Sequence, residues 1–166
     1  CLEHDDLASL QIIFNIFRQS PNEEVLTRAL ETQTGIIVRV PLASGLLTGK
    51  FTNRSTFAED DHRRFNREGS HFNIGETFAG IPFEKGIEIA DELKQQVPEG
   101  LTLSQMALRW ILDHEAVSVV IPGASRPQQV KMNASASALS PLTPELHQKL
   151  RSYYKEIIEN LIQGHY

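Results

Sequence analysis

The stretch Ser118-Val119-Val120-Ile121-Pro122-Gly123-Ala124-Ser125-Arg126-Pro127-Gln128-Gln129-Val130 decides how the rest of the chain is read. A short run rich in β-branched residues that stops at Pro-Gly is the pattern of a buried parallel strand. Ser125 and Gln128 then stand in the S-x-x-Q spacing of a capping box, which predicts a helix directly after the strand. Gly123, Ser125, Arg126 and the first helical turn together form a candidate anion site. Free backbone N–H groups and the helix dipole favour a phosphate there, and Arg126 adds a fork of donors. An ordinary strand-to-helix connection with a solvated Arg is the competing reading.

Working back towards the N-terminus, Thr102 and Gln105 form a capping box for an apolar helix through His114, with Trp110 in the core. Pro82 to Gln96 reads as an amphipathic helix closed by Pro98 and Gly100. Ile36 to Leu42 reads as a strand whose Arg39 is an unusual charge in an apolar run, paired to an acid or to a ligand anion. Leu7 to Phe17 is another strand, with Gln11, Ile13 and Asn15 on one face. Gln11 either bonds to neighbouring side chains or reaches a ligand. Between these strands, Ser20-Pro21-Asn22-Glu23 predicts a capped helix to about Gln33, terminated by Gly35. Beyond the opening stretch, its helix runs to about Ala138, and Thr143-Pro144 starts a last one to about Ile162.

Two segments fit no regular element. Leu42-Ala43-Ser44-Gly45-Leu46-Leu47-Thr48-Gly49-Lys50 is small-residue-rich and allows close backbone approach, but it is not a Walker A loop. Residues 52–80 form a long connection, punctuated by Gly69, Gly75 and Gly80 and carrying the charged run Asp60 to Arg67. A loop this long in a compact domain is usually functional or mobile.

Composition narrows the classes. The 166 residues carry 16 Lys and Arg against 21 Asp and Glu, a net charge of −5, which argues against a nucleic-acid partner. A single cysteine excludes an intrachain disulfide framework and fits a cytoplasmic setting. No apolar run reaches membrane-spanning length, and His62 and His71 lack metal-ligand spacing. Alternation of strands and helices indicates an α/β parallel architecture, yet three strands are too few to close a barrel. With Cys rather than Met at position 1, the chain reads as beginning inside a longer protein.

Three segments together resemble the aldo-keto reductase family: Gln11-Ile12-Ile13-Phe14-Asn15, Pro41 to Lys50, and Ala107-Leu108-Arg109-Trp110-Ile111-Leu112 leading into Ile121 to Arg126 with Gln129 and Asn133. The resemblance implies the C-terminal portion of a (β/α)8 TIM barrel, its last three strands and their helices, over residues 1–166. Residues 43–80 would then be a long loop over the cofactor site. It further implies an NADP(H)-dependent oxidoreductase that reduces aldehydes or ketones to alcohols, with sites at the C-terminal ends of the strands.

Residue by residue, the resemblance gives Gln11 to the nicotinamide carboxamide. Arg39 falls where many members place a stacking aromatic. Pro41, Leu42, Ala43, Ser44 and Gly45 match the pyrophosphate loop, with Lys50 its nearby cation. Gly123, Ser125, Arg126 and Gln129 match the adenosine 2′-phosphate pocket. Asn133 matches an adenine contact, although Met132 replaces the usual acid before it. None of the family's catalytic Tyr, Lys, Asp and His motifs occurs in these residues, so no catalytic residue is assigned. The expected partner is a small carbonyl substrate, with a missing N-terminal half or another chain completing the barrel. A non-catalytic NADP(H)-binding regulatory module and an inactive remnant are the alternatives.

Overall fold

The computed structural model describes residues 2–4 and 6–164. Three strands, β1 (Ser9–Ile13), β2 (Gly35–Arg39) and β3 (Val117–Val120), lie side by side in that order, all parallel. The helices are α1 (Val25–Glu31), α2 (His62–Phe65), α3 (Phe83–Lys94), α4 (Leu103–Leu112), α5 (Pro127–Ser135) and α6 (Pro144–Tyr153). The last continues through a π-turn at Tyr154–Ile158.

The strand register separates the two faces of the sheet. Leu10 pairs with Ile36, and Ile12 with Val38, which pairs in turn with Val120. Ile36 and Val38 are fully buried and the other three pack against the same core. Burying these side chains under α1 and α4 is the main stabilising term, worth roughly 1.5–3 kcal/mol for each large one. The opposite face carries Gln11 beside Ile37 and Ile13 beside Arg39. There Gln11 and Val119 stay exposed, with Ile121 just beyond β3. The sheet is open, as a partial (β/α)8 barrel must be.

Several local expectations are corrected. β1 ends at Ile13, not Phe17, because Asn15 and Arg18 exchange backbone hydrogen bonds of 3.3 and 2.8 Å and fold the chain back. That turn explains why Phe14, Ile16 and Phe17 are all fully buried: they leave the alternation of a strand. The Ser20 box does not cap a helix. A single 3₁₀ turn fills Ser20–Asn22, and α1 starts at Val25 after Glu24, without a side-chain cap. Gly35 does not terminate α1; Gln33 does so, at φ 55°, while Gly35 opens β2. The Thr102–Gln105 box is present, with reciprocal bonds of 3.0 and 3.3 Å. Trp110 lies in the core as expected, against Phe14.

Candidate functional site

Beyond β2 the backbone takes an unusual course. Val40, Ala43, Ser44 and Gly45 all have positive φ (52°, 48°, 55° and 102°). Such left-handed backbone costs energy for residues with a Cβ, and strain of this kind concentrates at functional sites. The surroundings hold it in place. Buried Asn15 donates its amide to the Val40 carbonyl at 2.9 Å and accepts the Phe17 N–H at 2.9 Å. Ser44 Oγ accepts the Phe78 N–H at 3.1 Å, within a second left-handed run at Phe78, Ala79 and Gly80. A Cβ on Gly45 would lie 2.9 Å from the Phe51 ring, so only glycine fits above that aromatic.

This loop forms one wall of a cleft of about 470 Å³; the turn after β3 forms the other. Of the residues singled out in the sequence, Pro41, Leu42, Ser44, Gly45, Lys50, Gly123, Ser125 and Gln129 line it. Ala43 sits just behind that wall, fully buried. Arg126, exposed, lines a neighbouring shallow depression with Pro127, Val130 and Lys131. Asn133 faces a different groove and reaches back to the Gly123 carbonyl at 3.4 Å. Gln11 and Arg39 lie outside the cleft lining, on the open face of the sheet.

The helix cap at the second wall differs from the spacing-based expectation by one residue. Arg126, not Ser125, precedes α5, and Gln129, not Gln128, occupies the third helical position. The Gln129 side-chain oxygen accepts from the N–H of Ser125 at 2.8 Å, the N–H of Arg126 at 2.9 Å and Ser125 Oγ at 3.1 Å. These two backbone N–H groups are therefore not free for an anion, as the sequence led one to expect.

Two residues of the long loop that the sequence did not single out individually lie at or beside this site. Arg63, from the long loop, joins the cleft lining with its Nε 2.9 Å from Asp61 Oδ1 and its guanidinium 4.6 Å from the Phe57 ring centroid. The Arg63 hydrogen bonds hold the Asp61 carboxyl below its usual range. Glu76 grips Arg39 through two bonds of 2.9 and 3.0 Å, and those bonds likewise lower the Glu76 carboxyl. The charged run and the odd arginine were visible; their partners, remote or local, were not.

The cleft is lined by Lys50, by Arg63 in its pair with Asp61, by the Ser44, Thr48 and Ser125 hydroxyls, each already donating within the protein, and by Gly45 and Gly123. Among the described residues no three His, Cys, Asp or Glu side chains converge as metal ligands would, and no helix is long and apolar enough to cross a membrane.

Comparison with known proteins supplies the class. Residues 2–155 match the aldo/keto reductase family, and the chain belongs to it. It is 33% identical over 124 residues to an L-glyceraldehyde 3-phosphate reductase of Escherichia coli O157:H7, covering 74% of this chain and 34% of the relative. It is 31% identical over 144 residues to a probable voltage-gated potassium channel subunit beta of Arabidopsis thaliana, covering 82% and 40%. A glycerol dehydrogenase of Gluconobacter oxydans superposes with a TM-score of 0.73 at 25% identity, over 96% of this chain and 46% of that one. The chain thus spans less than half the length of these relatives, and its open sheet is part of a barrel that another segment or chain must complete.

Proposed function

We propose that this chain supplies the NADP(H)-binding wall of an aldo-keto reductase that reduces aldehydes or ketones to alcohols. The observation that carries this reading is the single cleft in which the strained 40–45 loop and the turn before α5 face each other. Pro41, Leu42, Ser44, Gly45, Lys50 and Arg63 would hold the pyrophosphate, with Ala43 behind them. Gly123, Ser125, Arg126 and Gln129 would receive the adenosine 2′-phosphate, and Asn133 the adenine edge. Gln11 and Arg39 would meet the nicotinamide at the strand mouths. The 43–80 loop would cover the cofactor. When bound, NADP(H) supplies the hydride; these residues bind, orient and exclude water.

A single cysteine in the chain is in keeping with a reducing, cytoplasmic setting. The similarity to a potassium channel β subunit favours a second reading, a cofactor-binding regulatory module that does not turn over. Titration with NADPH, followed by dihydronicotinamide fluorescence and then by aldehyde-dependent oxidation, tests both. Binding with turnover supports the reductase, binding without turnover the module, and no binding overturns both.

A further inference from the structure

Arg39 is the last residue of β2, in register with Ile13 and on the same sheet face as Gln11. Its guanidinium is about one-third exposed, and its two terminal nitrogens each donate to one carboxylate oxygen of Glu76. A guanidinium held by its edge keeps its planar faces available for stacking. Glu76 comes from a 3₁₀ turn at Ile74–Glu76, and that turn is itself anchored. Asn73 Oδ1 accepts the Gly75 N–H at 2.8 Å, and the Ser44 hydroxyl meets the Glu76 carbonyl at 3.4 Å. Gly75 sits directly on buried Arg18, whose positive charge also acts on the Glu76 carboxylate. The carboxylate therefore offsets positive charge from two arginines at one strand end.

We propose that Glu76 is a positioning residue for the nicotinamide end of the cofactor, holding Arg39 flat and offsetting its charge so that oxidised and reduced cofactor bind comparably. The inference rests on the cofactor reading above. Its physical basis is simple: the oxidised ring carries a positive charge and the reduced ring carries none. An uncompensated guanidinium at that strand mouth therefore penalises NADP+ and leaves NADPH little affected. Glu76 removes that bias.

The test measures the affinities of NADP+ and NADPH by calorimetry on the barrel-completed protein. Glu76→Gln is expected to weaken NADP+ roughly three- to tenfold more than NADPH, a range set by partial solvent screening. Arg39→Gln, which leaves the carboxylate unopposed by its main partner, shifts the ratio the other way. The double variant Arg39→Gln/Glu76→Gln returns the ratio towards wild type, which also controls for loosening of the loop. If each single variant changes both affinities by the same factor, Glu76 acts only as a tether and the proposal fails. If wild type binds neither cofactor, the cofactor reading falls and this proposal falls with it.

Discussion

The side-chain oxygen of Gln129 accepts the backbone N–H of Arg126 at 2.9 Å and occupies the donor through which this helix start would otherwise meet an anion. The same oxygen takes the Ser125 N–H, so the turn is pre-formed by a neutral amide. Gln129→Ala removes that cap and is expected to cost about 1 kcal/mol, a fall of about 2–4 °C in the unfolding midpoint. Gln129→Glu retains the cap but sets a negative charge against the phosphate. It should keep its melting temperature and lose NADPH affinity, with calorimetry as the check.

On the proposed reading, Arg126 discriminates NADPH from NADH. It is exposed and lies beside the cleft rather than in its lining, which suits a contact to a peripheral phosphate. Arg126→Ala should weaken NADPH by about tenfold while leaving NADH nearly unchanged. Equal losses in a fluorescence titration would remove the 2′-phosphate assignment.

A Cβ at Gly75 would overlap Nη1 of Arg18, a residue only 2% exposed. Neither partner can retreat into solvent, so Gly75→Ala is an overpacking substitution costing about 1–3 kcal/mol. The denaturant midpoint should drop without a change in slope; an unchanged midpoint would mean that Arg18 relocates freely.

Acid should weaken the structure in two stages, the loop carboxyls contributing the later one. The carboxyls of Glu76 and Asp61 are held low chiefly by hydrogen bonds from Arg39 and Arg63. Their stabilisation is complete above the ordinary values of 4.5 and 3.8 and declines as pH falls below them towards the depressed folded values. His114 works in a higher window. Burial lowers its imidazole from 6.5, so the unfolded chain takes up the proton first and stability falls as pH drops below that value. Thermal scans from pH 8 to 3 should therefore show two successive declines, the first absent in His114→Phe.

Much of the architecture was legible because it is local. The Thr102–Gln105 box and the run ending at Pro122-Gly123 each carry their structural instruction within a few residues. The latter is nevertheless a parallel strand with no buried residue rather than the buried one expected, because it lies at the sheet edge. The turn at Asn15 was not legible, because Phe14, Ile16 and Phe17 look like a strand unless the Asn15–Val40 bond is known. Glu76 was missed for the same reason: 37 residues separate it from Arg39, and no periodicity links them. The shift from Gln128 to Gln129 shows the limit of motif spacing when two identical residues are adjacent.

The open sheet has a solution consequence. Val119 and Ile121 are 42% and 46% exposed beside the unpaired edge of β3, which invites pairing with another chain. Alone, the 166 residues should be oligomeric, partner-bound or poorly soluble. A monodisperse monomer in light scattering would contradict this.

The two walls of the cleft are mechanically unequal. The 40–49 wall is rooted in the core through fully buried Leu47 and nearly buried Leu46, whereas α5 buries none of its side chains and leaves Val130 and Met132 exposed. On the proposed cofactor reading, the ligand would lie between a fixed jaw and a compliant one. Grip is gained by stilling the compliant jaw, so part of the binding free energy is spent on ordering α5. Amide exchange in α5 should slow on saturation far more than exchange in β2, making this helix the natural reporter of occupancy.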